Sequence, residues 1–206
     1  NAAHSFKDHG ISLDNLSVDL ASMIARKQTV IDQTSGGITF LMKKNKVDVY
    51  QGVGSFVDKN TIKVTKADQS VETLTTKNTV IATGSKPSSF PGMEIDKKRI
   101  ITSTEALKLS EIPKHLLVIG AGVIGVELGS VYARLGSKLT FIEYADAVIP
   151  TMDRTMGKEL QKVMKKLGAE FFLSHKVAKV ENTGDEVVVT AENSKGETVS
   201  FTGDYC

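Results

Sequence analysis

Three glycines near the middle of the chain have the spacing of a dinucleotide-binding turn. Gly120, Gly122 and Gly125 form the pattern G-x-G-x-x-G directly after an apolar run. In such a turn the first glycine bends the chain, the second lets the backbone approach a pyrophosphate, and the third lets a helix pack closely on its strand. The start of that helix presents free N–H groups and a partial positive charge to phosphate. The pattern therefore predicts dinucleotide binding.

An acidic residue at a suitable distance supports this prediction. Glu143 ends a second apolar run, residues 138–143, roughly 20 positions after the first glycine, where a carboxylate meets the ribose hydroxyls of an adenosine. A carboxylate accepts hydrogen bonds from a free 2′-hydroxyl and repels a 2′-phosphate. Residues 144–146 include no arginine that would neutralise such a phosphate. The sequence therefore favours NAD over NADP. The alternative to dinucleotide binding is a structural strand–helix–strand unit that merely contains glycines.

The elements that must position this turn follow in a regular order. The glycines lie between a strand and an apolar helix, and the run at 138–143 predicts the next strand. A helix at 153–167 ends before Gly168, which suits the position after a helix C-terminus. Two strand pairs are predicted beyond it, 170–173 with 176–181 and 186–191 with 198–202. Alternation of strands and helices predicts an α/β domain.

The first half of the chain has a different pattern. Apolar residues recur at helical spacing over residues 16–46, which predicts a long amphipathic helix, interrupted near Gly36 and Gly37. We expect its apolar stripe to face a core rather than a partner or a membrane, because the polar side has no basic cluster. Short β-branched segments then predict an antiparallel meander. These segments are 47–50, 55–57, 61–64 and 71–75.

A further strand and a connection separate the meander from the glycine turn. Residues 79–82 predict a buried strand that ends in Thr83, Gly84 and Ser85, small residues that either approach a ligand or simply leave the sheet. Prolines and glycine at 87–92 mark a linker. Thr102 and Glu105 have capping-box spacing, which predicts a short helix over 103–110.

Bulk properties exclude several classes of function. The net charge is +2 and is spread along the chain, which gives no reason to expect nucleic acid as a partner. No apolar run is long enough to cross a membrane. Cys206 is the only cysteine and is expected to be a small core residue. The four histidines lack metal-ligand spacing, so we expect no metal site and interpret them as surface or packing residues. They are His4, His9, His115 and His175.

Taken in this order, the motifs resemble the flavoprotein disulfide oxidoreductases that contain two dinucleotide-binding domains. The resemblance covers nearly all 206 residues and is carried by segments 44–47, 81–85, 103–107 and 118–131. It implies an α/β, Rossmann-like fold with an antiparallel β-meander in each domain, incomplete at both ends. Residues 1–90 would be the later part of an FAD-binding domain, 91–114 a linker with a short helix, and 115–206 an NAD-binding domain truncated in its last strand.

The resemblance also implies cofactor contacts. NAD would be bound by Gly120, Ala121, Gly122, Val123, Ile124, Gly125, Val126, Glu127 and Glu143, with Val177 near its adenosine end. FAD would be contacted, mostly through backbone, by Gly54, Thr83, Gly84 and Ser85. By resemblance Glu127 lies near the isoalloxazine ring. From the residues alone it is a first-turn glutamate favoured by the helix dipole.

The implied activity belongs to a longer protein. The family's FAD glycine fingerprint, its C-x-x-x-x-C pair and its His-Glu acid/base pair are not among these residues, so we expect an internal fragment without a catalytic residue. The resemblance implies a homodimer in which dihydrolipoamide, carried on lipoyl domains of 2-oxoacid dehydrogenase complexes, reduces a disulfide. The electrons then pass through FAD to NAD⁺. The expected compartment is bacterial cytoplasm or the mitochondrial matrix.

Two alternatives remain at this point. The first is another disulfide reductase of the same family, of the mercuric, glutathione or coenzyme A disulfide type. The acidic Glu143 argues against those that use NADPH. The second alternative is a non-catalytic module that binds NAD.

Overall fold

A computed structural model describes residues 6–12 and 14–206. They form two compact units: Ala25–Lys86, and Pro87–Cys206 together with the described residues up to Ile24. In chain order the elements are a 3-10 turn (Phe6–His9), α1 (Leu20–Lys44), β1 (Val53–Asp58), β2 (Thr61–Thr65), β3 (Val71–Thr75), α2 (Ser103–Ala106), β4 (His115–Ile119), α3 (Val123–Leu135), β5 (Lys138–Ile142), α4 (Arg154–Lys166), β6 (Glu170–Phe172), β7 (Lys176–Asn182), β8 (Val187–Glu192) and β9 (Thr198–Gly203). The predicted α/β class, with two antiparallel meanders, is confirmed.

The long helix α1 is continuous, so the predicted interruption at Gly36 and Gly37 is wrong. Its apolar stripe is not buried either: Ile38 is 54% exposed and Leu41 is 49% exposed. The expectation of a core-facing stripe is therefore wrong for this chain. A helix buries a stripe only where another element lies across it, and the described part of the chain does not cover this one.

The first meander consists of β1, β2 and β3, paired antiparallel in that order. Two predicted strands beside it are wrong, since residues 47–50 and 79–82 have no regular structure. Val80 and Ile81, predicted to be buried, are 88% and 71% exposed. A strand needs a neighbour for its N–H and C=O groups, and no backbone hydrogen bond among the described residues involves 79–85.

The second unit is built on a parallel sheet of order β4-β5-β6. At the free edge of β4, the N–H of Leu117 donates to the carbonyl of Tyr205 at 2.9 Å, so residues 204–206 extend the sheet. The predicted pairing of 170–173 with 176–181 is wrong. Because Ser174 has a φ of 56°, the chain turns between these segments: β6 stays with β5, and β7 pairs with β8.

The second meander, β7-β8-β9, is antiparallel. The predicted pairing of 186–191 with 198–202, which are β8 and β9, is confirmed. The segment predicted as a linker lies against it: the carbonyl of Gly92 accepts from the N–H of Val180 at 2.8 Å, and Met93 bridges the same strand. Gly92 is required there, because a Cβ would lie 2.5 Å from the carbonyl oxygen of Ala178. The capping box is also confirmed, although α2 ends at Ala106 rather than at residue 110.

Two apolar clusters flank the parallel sheet, as expected when successive side chains alternate. Leu139 and Phe141 pack with α3 and α4 in the first cluster, whereas Leu117 and Ile142 pack with the second meander in the other. Each such buried side chain contributes about 1.5–3 kcal/mol. Cys206 packs against the second cluster, in agreement with the predicted core role, and burial raises its pKa to about 12.

Candidate dinucleotide-binding site

The glycine turn lies at the carboxyl end of β4. Gly120 has a φ of 95°, a conformation that glycine adopts without steric cost. Its N–H donates to the carbonyl of Ile142 at the end of β5, with an N···O distance of 2.8 Å. The turn therefore begins at the edge of the sheet where parallel α/β folds bind ligands.

The other glycines differ in what surrounds them. A Cβ on Gly125 would lie 2.7 Å from the carbonyl oxygen of Gly120, and one on Gly129 would lie 2.7 Å from Cζ of Phe141. Both residues therefore let α3 pack against the sheet. A Cβ on Gly122 would have nothing within 4 Å. Packing does not explain Gly122, which leaves open space in front of the helix.

Helix α3 begins at that open space. Gly122 is its N-cap and provides no side-chain hydrogen bond, and the first turn contains no acidic residue. The interpretation of Glu127 as a first-turn glutamate is therefore wrong, since the helix starts at Val123 and Glu127 lies in the second turn. Val123 and Ile124 are 52% and 61% exposed. The helix start is thus accessible and carries free N–H groups that suit an anion.

Glu143 follows β5 directly and is 9% exposed. Its Oε2 accepts the N–H of Ala121 at 2.6 Å, and its Oε1 accepts the N–H of Ala145 at 2.6 Å. These bonds join the glycine turn to the segment between β5 and α4. An ionised carboxylate has lone pairs for about four hydrogen bonds, so capacity remains for ribose hydroxyls.

An arginine that the sequence reasoning missed lies near this segment. The Nη1 atom of Arg154, at the start of α4, is 2.8 Å from Oδ1 of Asp146, and both side chains are exposed. The prediction considered only residues 144–146. A spacing of eight residues carried no signal until the fold brought the two side chains together.

The predicted adenosine-end residue lies close by along the backbone. The N–H of His175 donates to the carbonyl of Glu143 at 2.9 Å, and the chain then enters β7. Val177, two residues further on, is partly buried and packs against the second core cluster. An apolar cavity of about 610 Å³ borders the turn on another side, with Phe90, Met93 and Ile100 among its lining residues.

The predicted FAD contacts are not brought together by hydrogen bonds. Gly54 lies on β1 opposite Val64, and Thr83, Gly84 and Ser85 lie in the exposed irregular segment, where Gly84 has a φ of 73°. Within the described residues, no hydrogen bond links Gly54 to that segment. Among the residues that the structure describes, there is thus a formed turn at Gly120 and no comparable site at Gly54 and 83–85.

The histidines serve packing or lie at the surface. Nε2 of His115 is 2.9 Å from Oγ1 of Thr140, and burial, followed by the nearby charge of Lys138, lowers its pKa. His175 contacts the carbonyl of Leu173 through Nδ1, and His9 is exposed; His4 is outside the described residues. In the part of the chain that is described, no group of residues suits a metal ion, and no helix could cross a membrane.

Comparison with known proteins identifies the family. The model of the pyridine nucleotide-disulphide oxidoreductases matches residues 3–205. The chain therefore belongs to this family, whose members are oxidoreductases that use a pyridine nucleotide.

Individual relatives are similarly close. The chain is 46% identical to leghemoglobin reductase of Vigna unguiculata, over 95% of this chain and 37% of that protein. It is 45% identical to the mitochondrial dihydrolipoyl dehydrogenase of Pisum sativum, over 95% of this chain and 39% of that one. Dihydrolipoyl dehydrogenase 3 of Pseudomonas putida is 44% identical over 91% of this chain and 41% of its own length. The chain thus spans about two fifths of these relatives.

Solved structures agree with this relationship. LpdA from Mycobacterium tuberculosis superposes with a TM-score of 0.81 at 30% identity, covering 92% of this chain and 42% of that one. The HOCl-induced flavoprotein disulfide reductase RclA from Escherichia coli gives a TM-score of 0.71 at 26% identity, covering 91% of this chain and 42% of its own. The predicted flavoprotein disulfide oxidoreductase fold is confirmed.

Proposed function

We propose that this chain binds NAD(H) at the glycine turn and belongs to a dihydrolipoyl dehydrogenase. The observation that carries the proposal is the buried carboxylate of Glu143, hydrogen-bonded to the turn at the carboxyl end of β5. Named relatives at 41–45% identity, which are dihydrolipoyl dehydrogenases, support the substrate class. When bound, flavin and nicotinamide supply the hydride chemistry, and the protein supplies position and electrostatics.

In this proposal the residues of the turn have separate tasks. Gly122 and the start of α3 hold the pyrophosphate, because Gly122 leaves open space and the first helical N–H groups face it. Gly120, Ala121 and Gly125 shape the turn, since Ala121 is fully buried and both of its backbone groups are bonded within the chain. Glu143 accepts hydrogen bonds from the ribose and repels a 2′-phosphate. Val177 borders the adenosine end. Val123, Ile124 and Glu127, which are exposed on α3, line the helix side of the same cofactor. Val126, also predicted as a contact, is 3% exposed and packs in the first core cluster, so it supports α3 from behind.

The remaining assignments are proposals of the same kind. Gly54 and residues 83–85 would contact FAD, with 1–90 as part of an FAD domain, 91–114 as a linker and 115–206 as the NAD domain. The whole protein would be a homodimer that takes dihydrolipoamide from lipoyl domains of 2-oxoacid dehydrogenase complexes. Its compartment would be the mitochondrial matrix or bacterial cytoplasm, since relatives with mitochondrial names and a bacterial relative both occur.

Substitution of Glu143 tests the cofactor assignment. We expect Glu143→Ala to raise the Kd for NADH about tenfold or more and to reduce discrimination against NADPH, because hydrogen bonds to a charged group and repulsion of a phosphate are lost together. Titration of the purified chain by calorimetry measures both constants. Glu192→Ala, at an exposed carboxylate on β8, is the matched control.

The outcomes separate the alternatives. Unchanged affinities for both nucleotides in Glu143→Ala would contradict the assignment of Glu143. Formation of NADH from dihydrolipoamide and NAD⁺ by the full-length protein is the expected activity. If the full-length protein bound NADH but reduced only a different disulfide, another member of the family would be indicated; absence of any redox turnover would indicate a binding module.

A further inference from the structure

Ala121, between the first two glycines of the turn, is held from two sides. It is fully buried, its N–H donates to Oε2 of Glu143 at 2.6 Å, and its carbonyl accepts the N–H of Ile149 at 2.8 Å. Both partners belong to the segment between β5 and α4. The conformation of the turn therefore depends on this segment as well as on β4 and α3.

Ile149 makes its hydrogen bond from an unusual backbone conformation. Its φ is 43°, in the left-handed region that β-branched residues rarely adopt because the Cβ substituents crowd the backbone. Such a conformation persists only where its surroundings enforce it, and it occurs preferentially at functional sites. The side chain of Ile149 is 6% exposed and packs in the first core cluster. This packing holds the backbone of Ile149 in the left-handed conformation.

The neighbouring backbone prevents the segment from relaxing toward α4. A Cβ on Gly157 would lie 2.5 Å from the carbonyl oxygen of Val148, so helix and segment are already in contact. The carbonyl of Ile149 also accepts the N–H of Met152 at 2.9 Å, which closes a tight turn. At the other end, Oε1 of Glu143 holds the N–H of Ala145.

The bond to Ala121 has a consequence for the next amide. A trans peptide is planar, so the carbonyl of Ala121 and the N–H of Gly122 point in opposite directions. Because Ile149 fixes that carbonyl, the N–H of Gly122 points away from Ile149. No backbone acceptor for the Gly122 N–H is found among the described residues, and the position of its Cβ is open space.

We propose that Ile149 is a positioning residue that aims the Gly122 N–H at the pyrophosphate of the dinucleotide. It acts through the carbonyl of Ala121 and does not touch the cofactor. This inference rests on the proposed function. Because the role concerns phosphate recognition, truncation of the Ile149 side chain should weaken the binding of ligands that carry a pyrophosphate. The binding of adenosine should be unaffected.

The test compares three variants of the chain in calorimetric titrations with NADH, ADP and adenosine. We expect Ile149→Ala to raise the Kd for NADH and ADP about tenfold, with the Kd for adenosine within about twofold of wild type. Ile149→Val keeps the branched side chain and should restore binding. Val148→Ala removes methyl groups from the same cluster at a residue with an ordinary φ and should leave all three constants near wild type.

Three other results would overturn the inference, and each points to a different cause. Equal NADH affinity in wild type and Ile149→Ala overturns the positioning role and leaves the proposed function intact. An equal loss in Val148→Ala, or a parallel loss for adenosine, shows a general packing effect and also overturns it. If the wild-type chain bound neither NADH nor ADP, the proposed function would fail, and the positioning role would fail with it.

Discussion

The two units differ in how far their own residues complete them. In Pro87–Cys206 the central strand β5 has a partner on each side, and Phe141 at its centre is fully buried. In Ala25–Lys86 every residue of β1 is exposed, including Val53 at 74%, and 79–85 make no backbone hydrogen bond among the described residues. The central strand of one unit has hydrogen-bonding partners on both sides, whereas part of the other unit leaves its backbone N–H and C=O groups without partners among the described residues.

This difference shows what each proposed cofactor site requires of the sequence. The glycine turn is assembled within residues 115–143 from consecutive elements, so a short stretch contains the strand, the helix and the carboxylate. The proposed FAD contacts, Gly54 and 83–85, are separated along the chain and lie on elements that need neighbours. A site made from consecutive elements can form within one short stretch, whereas a dispersed one depends on contacts between distant segments.

Hydrogen exchange should give the largest contrast between the units. We expect the amides of β4 and β5 to exchange about a thousandfold more slowly than those of residues 79–85, because only the former donate to neighbouring strands. Mass spectrometry of peptic fragments from the unliganded chain measures this. Equal protection of residues 79–85 would contradict this difference, because it would require that their amides are also hydrogen-bonded.

Two alanine substitutions should separate binding from packing within the better-formed unit. Gly122→Ala places a methyl group in open space, so we expect unchanged stability and about a tenfold higher Kd for NADH, because the methyl group lies where the pyrophosphate is proposed to bind. Gly129→Ala forces a Cβ against Phe141 and should lower stability by about 1–3 kcal/mol.

Thermal unfolding and NADH titration of both variants make the measurement. If Gly122→Ala lowered the stability and Gly129→Ala changed neither stability nor NADH affinity, the assignment of Gly122 to binding and of Gly129 to packing would be wrong.

The smallest effect concerns pH. Burial and Lys138 lower the pKa of His115 in the folded chain below its ordinary value of 6.5. The unfolded chain therefore binds the proton more readily. The contribution to stability is complete above about pH 6.5 and declines as the pH falls toward the folded pKa.

Melting temperatures at about pH 8 and pH 5.5 should differ slightly more in wild type than in His115→Gln, which removes the titration. The hydrogen bond to Thr140 remains possible in that variant. An identical pH dependence in the two proteins would exclude a role for this imidazole.

The sequence predicted most of the second unit because its signals are local. The spacing of Gly120, Gly122 and Gly125, the capping box at Thr102 and the periodicity of α4 each depend on a few neighbouring residues. Residues 79–82 have the composition of a buried strand, but composition says nothing about whether a partner strand is adjacent. The same limit explains why the exposed stripe of α1 was expected to be buried.

Within the site, the sequence indicated Glu143 and the glycines but not the residues that hold them. The left-handed conformation of Ile149 has no signature in the sequence, because β-branched residues are rarely found at a positive φ. Arg154 came near Asp146 only through the turn between β5 and α4. Both are consequences of tertiary packing, which overrides local preference.

Cys206 is partly buried, and the raised pKa of its thiol slows its reaction with thiol reagents. Alkylation and disulfide exchange require the thiolate, and a pKa of about 12 leaves very little of it at neutral pH. Both backbone groups of Cys206 are also bonded, to Arg99 and Ile101, so the residue cannot swing outward alone. As the only cysteine in the sequence, it is a built-in reporter: the rate at which a dye attaches to it records how often the sheet edge opens.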